Sequence, residues 1–298
     1  MNLPSVNVLV QVALVGLLTG GVYALMVAGL TLIFGVMRVI NIAHGAFLVL
    51  SGYIAYWLFT LFGLDPTLSV VVSVPLFFVI GILVQRFLLS RLRGDPGLTV
   101  LVTFALAITL EGIMGTVWES TGRSVRTIYT AVVLPVDLSG LTLRLPVIRL
   151  GGFVLAFIAL AGLHILLART DLGRAIRATI QNPDAAQLVG VNVAWIKAMA
   201  FGVGLATVAA GGALFSLIWT FNAASHEVWI SKMLSIIVLG GMGSLPGALV
   251  ASLLMGVIES VAAVTITTYL SPIVFYLLLF LTLVFRPQGI LGTRLREG

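Results

Sequence analysis

Long apolar runs recur along the whole chain and are separated by short polar connections. Eight such segments can be marked, at about 8–37, 45–64, 66–85, 98–118, 151–168, 194–221, 233–259 and 261–285. A helix needs about 20 residues to cross the hydrocarbon core of a bilayer, and the segments have about that length. They lack the period of two that a membrane-spanning strand shows, which favours helices over a barrel. The pattern predicts an all-α polytopic membrane protein with a bundle of about eight hydrophobic helical segments.

Two places interrupt this pattern. The stretch RVINIAHGAFL (38–48) brings an arginine, an asparagine and a histidine between two segments that contain no ionisable residue. The stretch VLGGMGSLPGALV (238–250) holds too many glycines, together with a proline, for a continuous helix. We expect two interrupted or re-entrant helices, whose unwound backbone near the membrane midplane can face a polar passenger. The candidate substrate-path residues at these breaks are Asn41, His44, Gly45, Gly241, Gly243 and Ser244.

The two breaks are also weakly similar in sequence. HGAFLVLSG (44–52) in one half of the chain resembles PGALVASLL (246–254) in the other. A repeated architecture with interrupted helices is typical of transporters. The alternative for residues 38–48 is a short cytoplasmic turn between two ordinary spans.

Composition narrows the class of protein further. Of the 298 residues, 60% are hydrophobic and 9% are charged, with a mean hydropathy of +1.19, which excludes a soluble globular protein. The chain has no cysteine, so disulfides and thiol chemistry are excluded. No basic residue precedes Arg38, and we expect no removable signal peptide. In a phosphate-binding loop the lysine directly follows a glycine, but Lys197 and Lys232 follow other residues. Any ATP hydrolysis is therefore expected on another polypeptide.

The basic residues lie mainly in three polar connections, which indicates membrane topology. The positive-inside rule places these connections in the cytoplasm, and with them the C-terminus. The connection 119–150 then faces outward, although it carries four arginines of its own. Segment 233–259 must begin and end outside, so it is either a re-entrant hairpin or two half-helices meeting at the glycine-rich break. The net charge of +6 therefore does not indicate nucleic-acid binding. The residues assigned to the cytoplasm are Arg86, Arg91, Arg93, Arg169, Arg174, Arg177, Lys197, Arg286, Arg294 and Arg296.

The hydrophilic segment from about 169 to 193 carries strong local helix signals. Thr170 and Asp171 are candidate caps of one helix, and Asn182 can cap a second, very short helix that begins at Pro183 and stops at Gly190. So short a helix is marginal alone in water. Its apolar residues could fit a groove on a cytoplasmic partner. The alternative is a loop helix packed on the protein's own spans.

Several polar residues inside or beside the apolar segments need an explanation. Glu111 lies well within its segment and either lines the substrate path or forms a buried structural hydrogen bond. Glu259 is expected at the outer interface without a special role. His44, His164 and His226 are not spaced as metal ligands, so we expect hydrogen-bonding groups and no metal site, with His226 in an outward loop. Residues 138–150 are expected to form a ribbon or surface helix that either receives a binding protein or simply caps the bundle.

Three stretches together resemble the permease subunit of bacterial branched-chain amino-acid ABC transporters. They are GLTLIFGVMRVINIAHGAFLVLSGY (29–53), GRAIRATIQNPDAAQLVGV (173–191) and VLGGMGSLPGALVASLL (238–254), in the order and spacing of that family. Within the second, DAAQLVG (184–190) is similar to the core of the cytoplasmic loop with which ABC importer permeases engage their ATPases. The Ile-x-Leu-Pro that follows in the broader pattern is missing here.

The resemblance implies a single transmembrane permease domain over residues 1–298 and a bacterial inner-membrane location. It implies four partners: two cytoplasmic ATPase subunits that hold ATP and Mg, a second homologous permease, and a periplasmic substrate-binding protein. No cofactor is expected in this chain, which is not an enzyme. The alternatives are a secondary transporter or channel with Glu111 and His44 as a proton relay, or an ABC permease for amides or urea. The expected ATPase-coupling residues are Gly173, Arg174, Arg177, Pro183, Asp184, Ala185, Ala186 and Gly190.

Overall fold

The computed structural model describes residues 5–92, 95–138, 141–266 and 270–291. Over these ranges the chain folds into helices and one two-stranded ribbon. Arg93, Arg294 and Arg296, which the sequence assigns to the cytoplasm, lie outside the described residues. The elements are α1 (Val6–Met37), α2 (His44–Phe62), α3 (Pro66–Leu83), α4 (Pro96–Trp118), β1 (Val133–Leu138), β2 (Leu141–Pro146), α5 (Val147–Arg169), α6 (Asp171–Gln181), α7 (Pro183–Leu188), α8 (Val193–Ile218), α9 (Ser225–Gly240), α10 (Leu245–Thr265) and α11 (Ser271–Phe285).

The predicted all-α membrane architecture is confirmed. Among the described residues, seven helices are long and apolar enough to cross a membrane, and α11 is a shorter apolar helix. The helix α3 belongs to a longer span that runs on to Leu92 through one wide and one tight helical turn. Of the residues 138–150, which were expected to form a ribbon or surface helix, those in β2 pair with β1 in an antiparallel ribbon, and those from Val147 onward begin α5.

The bundle has two ends that differ in character. We call the end that carries residues 119–146 the loop face, and the end that carries α6 and α7 the coupling face; α5 joins the two. Helix α1 begins at the loop face, where the Gln11 side-chain amide forms two hydrogen bonds with the backbone of Arg144. It ends at the coupling face, where a Cβ atom on Gly35 would lie 3.7 Å from the Ile180 side chain in α6.

Helix α8 lies at the centre of the bundle, and 89% of its apolar stretch is buried inside the protein. Glycines on α8 let neighbouring backbones approach closely, as in membrane proteins generally. A Cβ atom on Gly212 would lie 2.5 Å from the Leu48 carbonyl oxygen of α2, and one on Gly29 of α1 would lie 2.1 Å from the Gly204 carbonyl oxygen. The packing of α1 and α2 on α8 therefore depends on the absence of side chains at these positions.

The loop face is tied to the bundle by a carboxylate at the start of α3. Asp65 accepts hydrogen bonds from the Thr67 N–H (2.8 Å) and hydroxyl (2.7 Å), and from the Tyr129 hydroxyl at 2.6 Å. Burial acts to raise the pKa of Asp65, but the hydrogen bonds outweigh it and lower that pKa overall. Burial and the bond to Asp65 raise the pKa of Tyr129 to about 12. A neutral tyrosine thus anchors the loop to an ionised carboxylate near neutral pH.

The prediction for segment 233–259 is partly wrong. Two helices do meet at the glycine-rich break, but α10 has 21 residues and is one of the candidate spans, so it is no half-helix. The break at 241–244 lies at the coupling face beside Gly35, whereas the sequence placed it near the membrane midplane. Residues after α11 return to this break, since the N–H groups of Ile290 and Leu291 donate to the carbonyls of Leu239 (2.8 Å) and Gly240 (3.1 Å).

Candidate functional site

The first break folds back into the bundle between α1 and α2. Helix α1 ends at Arg38, which takes a left-handed conformation with φ 54°. The His44 N–H then donates to the Asn41 carbonyl at 3.2 Å, which forms a tight turn that starts α2. Nε2 of His44 lies 3.1 Å from the carbonyl oxygen of Met26. Because a helix rises about 1.5 Å per residue, Met26 lies about 16 Å before the end of α1. Helix α2 therefore begins inside the bundle, which supports an interrupted helix over a surface turn.

A second break of the same construction lies between α8 and α9. The Ser225 N–H donates to the Asn222 carbonyl at 3.1 Å, as the His44 N–H does to Asn41. The residue before each helix has nearly the same backbone angles, with φ −64° and ψ −8° at Ala43 and φ −72° and ψ −12° at Ala224. Helix α1 ends at the coupling face and α8 at the loop face, so the two breaks enter from opposite sides, as in an inverted repeat.

The structural counterpart of the first break differs from the one that the sequence similarity predicts. Its partner is NAAS (222–225) and not the stretch PGALVASLL, which begins α10. The signal that could have found it is the Asn-x-Ala turn shared by NIAH (41–44) and NAAS. His226, which was expected in an outward loop, is the second residue of α9 and is buried.

The two breaks touch each other in the interior. A Cβ atom on Gly45, at the start of α2, would lie 2.6 Å from the carbonyl oxygen of His226 at the start of α9. Helix α4 contacts both turns: its Thr103 hydroxyl accepts from the Ile42 N–H at 3.3 Å, and its Glu111 carboxylate lies 2.9 Å from Nε2 of His226. Four of the expected path residues, Asn41, His44, Gly45 and Glu111, are thus brought to one region.

A cavity of about 300 Å³ opens beside the Glu111–His226 pair. The Glu111 side chain is 30% exposed, so its carboxylate is accessible while it contacts His226. Gly112 and Gly115 have no side chains, and the space beside this face of α4 is open: no neighbouring atom lies within 4 Å of the position that a Cβ would take. The cavity is lined by Ile108, Glu111, Gly112, Gly115, Ser120, Asn222, Ala223 and Ala224.

Several buried polar atoms at the breaks have no hydrogen-bond partner within the described part of the chain. They are both side-chain amide atoms of Asn41, Nδ1 of His44 and Nδ1 of His226. An unpaired polar group in an apolar interior costs about 1–3 kcal/mol by protein mutational data. Such groups are tolerated in a membrane protein where water or a polar passenger reaches them.

The remaining path candidates lie elsewhere. Gly241, Gly243 and Ser244 form the break at the coupling face, where Gly243 lies beside Gly35 of α1. Gly241 (φ 102°) and Gly243 (φ 83°) take backbone conformations that residues with side chains rarely adopt. The Ser244 hydroxyl oxygen accepts from the Gly247 N–H at 3.2 Å and caps α10. They form a tight turn between α9 and α10, in which the Ser244 N–H donates to the Gly241 carbonyl at 3.0 Å, and a place on the substrate path stays a prediction for them.

A buried ion pair that sequence reasoning missed connects α9 with α10. The Lys232 ammonium lies 2.6 Å from one oxygen of Glu259, and the Tyr23 hydroxyl donates to the other oxygen at 2.6 Å. The same ammonium lies 5.0 Å from the ring centre of Trp229 and 5.1 Å from that of Phe275. Glu259 therefore has a specific partner inside the bundle, and the expectation of a solvated carboxylate without a role is wrong.

The coupling segment has the caps that the sequence predicts. The Thr170 hydroxyl oxygen accepts from the Gly173 N–H at 3.0 Å, and Asn182 Oδ1 accepts from the N–H groups of Asp184 and Ala185, each at 3.0 Å. Helix α7 follows Asn182, and Gly190 turns the chain with φ 88°.

The expected coupling residues differ in exposure. On α7, Ala186 is buried against the bundle, Pro183 is half-buried, and Asp184 and Ala185 are exposed. On α6, Gly173 is buried, Arg174 pairs with Asp171, and Arg177 lines a groove towards α10. The largest apolar groups that α7 presents are Leu188 (89% exposed) and Val189 (79% exposed), so the apolar surface expected there is centred on these two residues.

Comparisons with known proteins give a consistent result. The family model described as branched-chain amino acid transport system / permease component matches residues 12–283. The high-affinity branched-chain amino acid transport system permease protein BraD of Pseudomonas aeruginosa is 30% identical over 302 residues, covering 97% of this chain and 98% of that protein. The corresponding permease LivH of Salmonella typhimurium is 25% identical, with 93% of each chain covered.

The likeness extends beyond bacteria. A probable branched-chain amino acid transport permease protein LivH of Methanocaldococcus jannaschii is 26% identical, covering 90% of this chain and 88% of that protein. No solved structure matches this one significantly. The interrupted helices, the capped coupling segment and the match of the family model over nearly the whole length agree, and the chain belongs to the permease component family of branched-chain amino acid transport systems.

Proposed function

We propose that this permease passes branched-chain or similar amphipathic amino acids inward across the bacterial inner membrane. A periplasmic binding protein would deliver the amino acid, and two cytoplasmic ATPase subunits would bind and hydrolyse ATP with Mg. The relatives are permeases of high-affinity branched-chain amino acid transport systems, which supports this substrate class and the role of one subunit in a larger system. The absence of a Gly-Lys phosphate loop in the sequence fits ATP binding on other chains.

The observation that carries the proposal is the cavity beside Glu111. A zwitterionic amino acid needs a partner for its ammonium, a partner for its carboxylate and an apolar contact for its side chain. Glu111 supplies a carboxylate, and the Glu227 carboxylate in the first turn of α9 lies within 4.8 Å of it, so two acidic groups are available to an ammonium. The N–H groups at the start of α9, which has no side-chain cap at Ala224, are available to a carboxylate. Ile108 and the bare backbone of Gly112 and Gly115 supply the apolar wall. Deeper in the bundle, the unpaired amide of Asn41 and the unpaired Nδ1 of His44 would continue the path.

The coupling role rests on α7. Leu188 at the end of α7 and Val189, which follows it, are exposed at the end of the bundle that carries most of the described arginines. A short helix with exposed apolar residues fits a groove on a soluble partner. We assign this face to the cytoplasm, and the C-terminus with it, because Arg86, Arg91, Arg169, Arg174, Arg177 and Arg286 flank the helix ends on this side.

A second permease subunit would complete the path. The glycine-lined face of α4 opens the Glu111 cavity outward from the bundle, so a single chain leaves the cavity without one wall. A homologous subunit packed against α4 would close it, since small residues allow close helix contact.

Replacing Glu111 with glutamine tests the substrate role. Glutamine keeps a hydrogen-bond acceptor for His226 but removes the charge that the ammonium would meet. A hydrogen bond to a charged group contributes about 1.5–3 kcal/mol, so we expect the substrate concentration for half-maximal uptake to rise about 10- to 100-fold. The measurement is ATP-driven leucine uptake by proteoliposomes that contain the complete transporter.

The matched control is Glu119→Gln, which removes the same charge just after the end of α4 and outside the cavity. It should leave uptake unchanged. If Glu111→Gln also leaves the half-saturating concentration unchanged, Glu111 does not bind the passenger. An uptake that survives ATP depletion but stops with a proton uncoupler would instead favour the secondary-transporter alternative.

A further inference from the structure

A groove that the proposed function does not use runs along the outside of α1, α5 and α10. It consists of two cavities, of about 350 Å³ and about 450 Å³, that share the lining residues His164, Leu245 and Pro246. Both volumes fall in the range of about 300–1,000 Å³ that is typical of small-molecule sites. The groove is therefore continuous from the middle of the bundle to the coupling face.

The half of the groove inside the bundle is apolar and shaped by small side chains. Ala24 and Ala28 of α1 form its floor, with Ala161 on α5 and Ala248 on α10 at its sides. Helix α5 continues the wall into an apolar outer surface, where Phe157 and Ile158 are exposed. A flexible hydrocarbon chain entering from lipid can fill such a slot, where it gains van der Waals contacts with the surrounding side chains.

The half at the coupling face is also mainly apolar, but it carries a positive charge and a few polar groups. Arg177 of α6 lines it, and its guanidinium forms no ion pair within the described part of the chain. Helix α10 begins here, so the positive end of its dipole points at the same place. The residues that line the two cavities include no carboxylate. An anion at this end would meet positive charge without a competing acidic group.

We propose that this groove binds one anionic phospholipid, with an acyl chain along Ala24, Ala28 and Ala161 and the headgroup phosphate on Arg177. The apolar lining fits the acyl chain of a phospholipid, and the positive charge independently fits its headgroup. The apolar half lies at the depth of the hydrocarbon, and the charge lies at the bundle end that bears the basic residues, where anionic headgroups concentrate. A helix of a partner protein would fill the apolar half but would leave Arg177 without a counter-charge.

The site joins the membrane to the coupling segment. Arg177 lies on α6, whose Ile176 and Ile180 also line the groove and whose last residue adjoins the cap of α7. A lipid held by Arg177 fixes α6 against α10 and so restrains the segment that presents α7. One basic residue contributes about 1 kcal/mol to anionic-lipid binding, so the groove should prefer phosphatidylglycerol to phosphatidylcholine about fivefold.

The test measures lipid retained by the complete transporter. The complex is reconstituted in an equal mixture of phosphatidylglycerol and phosphatidylcholine, extracted in mild detergent and analysed by native mass spectrometry. We expect one tightly held phosphatidylglycerol per copy of this chain. Arg177→Gln should reduce its retention about fivefold, and Ala161→Phe, which fills the groove from an exposed position, should abolish it.

Each variant has a matched control on the same helix. Arg174→Gln removes the same charge outside the groove, and Ile158→Phe adds an aromatic ring to α5 at a position that does not line it. Both should retain the lipid as the unaltered protein does. Equal retention in all five proteins overturns the proposal. It is also overturned if Ala161→Phe releases the second permease while retention of phosphatidylglycerol stays unchanged, because the groove would then be a protein interface. If Ala161→Phe does not fold, the comparison of Arg177→Gln with Arg174→Gln decides alone.

Discussion

Replacing Lys232 with methionine is expected to destabilise the protein by about 3–5 kcal/mol, because the change leaves the Glu259 carboxylate buried without its counter-charge. The side chains of both partners are largely buried, and the ammonium also lies over the rings of Trp229 and Phe275. The measurement is the thermal unfolding midpoint of the purified protein in detergent, together with the yield of folded protein from membranes.

The double variant Lys232→Met, Glu259→Gln separates a lost charge pair from a lost packing contact. Glutamine can still accept the hydrogen bond from Tyr23. Since no ionised group is then buried alone, we expect most of the lost stability to return. If the double variant is as unstable as Lys232→Met, the ammonium stabilises the bundle through the aromatic rings and not through Glu259.

Replacing Leu188 with aspartate is expected to abolish ATP-driven uptake while the permease still folds. The Leu188 side chain is 89% exposed on α7, so its replacement removes little packing within this chain. A carboxylate at the centre of an apolar contact would stay unpaired and desolvated, which costs several kcal/mol and weakens the complex by more than about a hundredfold. The measurements are leucine uptake and co-purification of the ATPase subunits.

The control for this variant is Gln181→Asp, which places the same charge on the same segment at an exposed polar position. Uptake should be retained there. Loss of uptake in both variants would mean that negative charge anywhere on this face is harmful. Full uptake with Leu188→Asp would show that α7 is not the ATPase contact.

The features that the sequence predicts correctly are those whose physical causes lie within a few residues along the chain. The caps of α6 and α7 follow from Thr170, Asn182 and Gly190, whose side chains or backbone act on residues two or three positions away. The first break was predicted because three polar groups stand between long apolar runs. In each case the physical cause lies within a few residues, and a pattern in the sequence is sufficient to find it.

What the sequence misses depends on partners far away along the chain. His226 looks like a loop residue because its neighbours are polar, and it becomes interior only through Glu111 on α4. Glu259 looks like an interfacial carboxylate until Lys232 and Tyr23 are brought to it. The glycines at 240–243 indicate a turn, but its depth is set by the contact with Gly35 and by the return of the chain after α11.

The contact between Gly45 and His226 has a mechanical consequence. Because the two turns enter from opposite sides and their backbones meet without a side chain between them, neither turn can move towards the centre without displacing the other. A side chain at position 45 would push the start of α9 away, so the two breaks are mechanically coupled through this one contact.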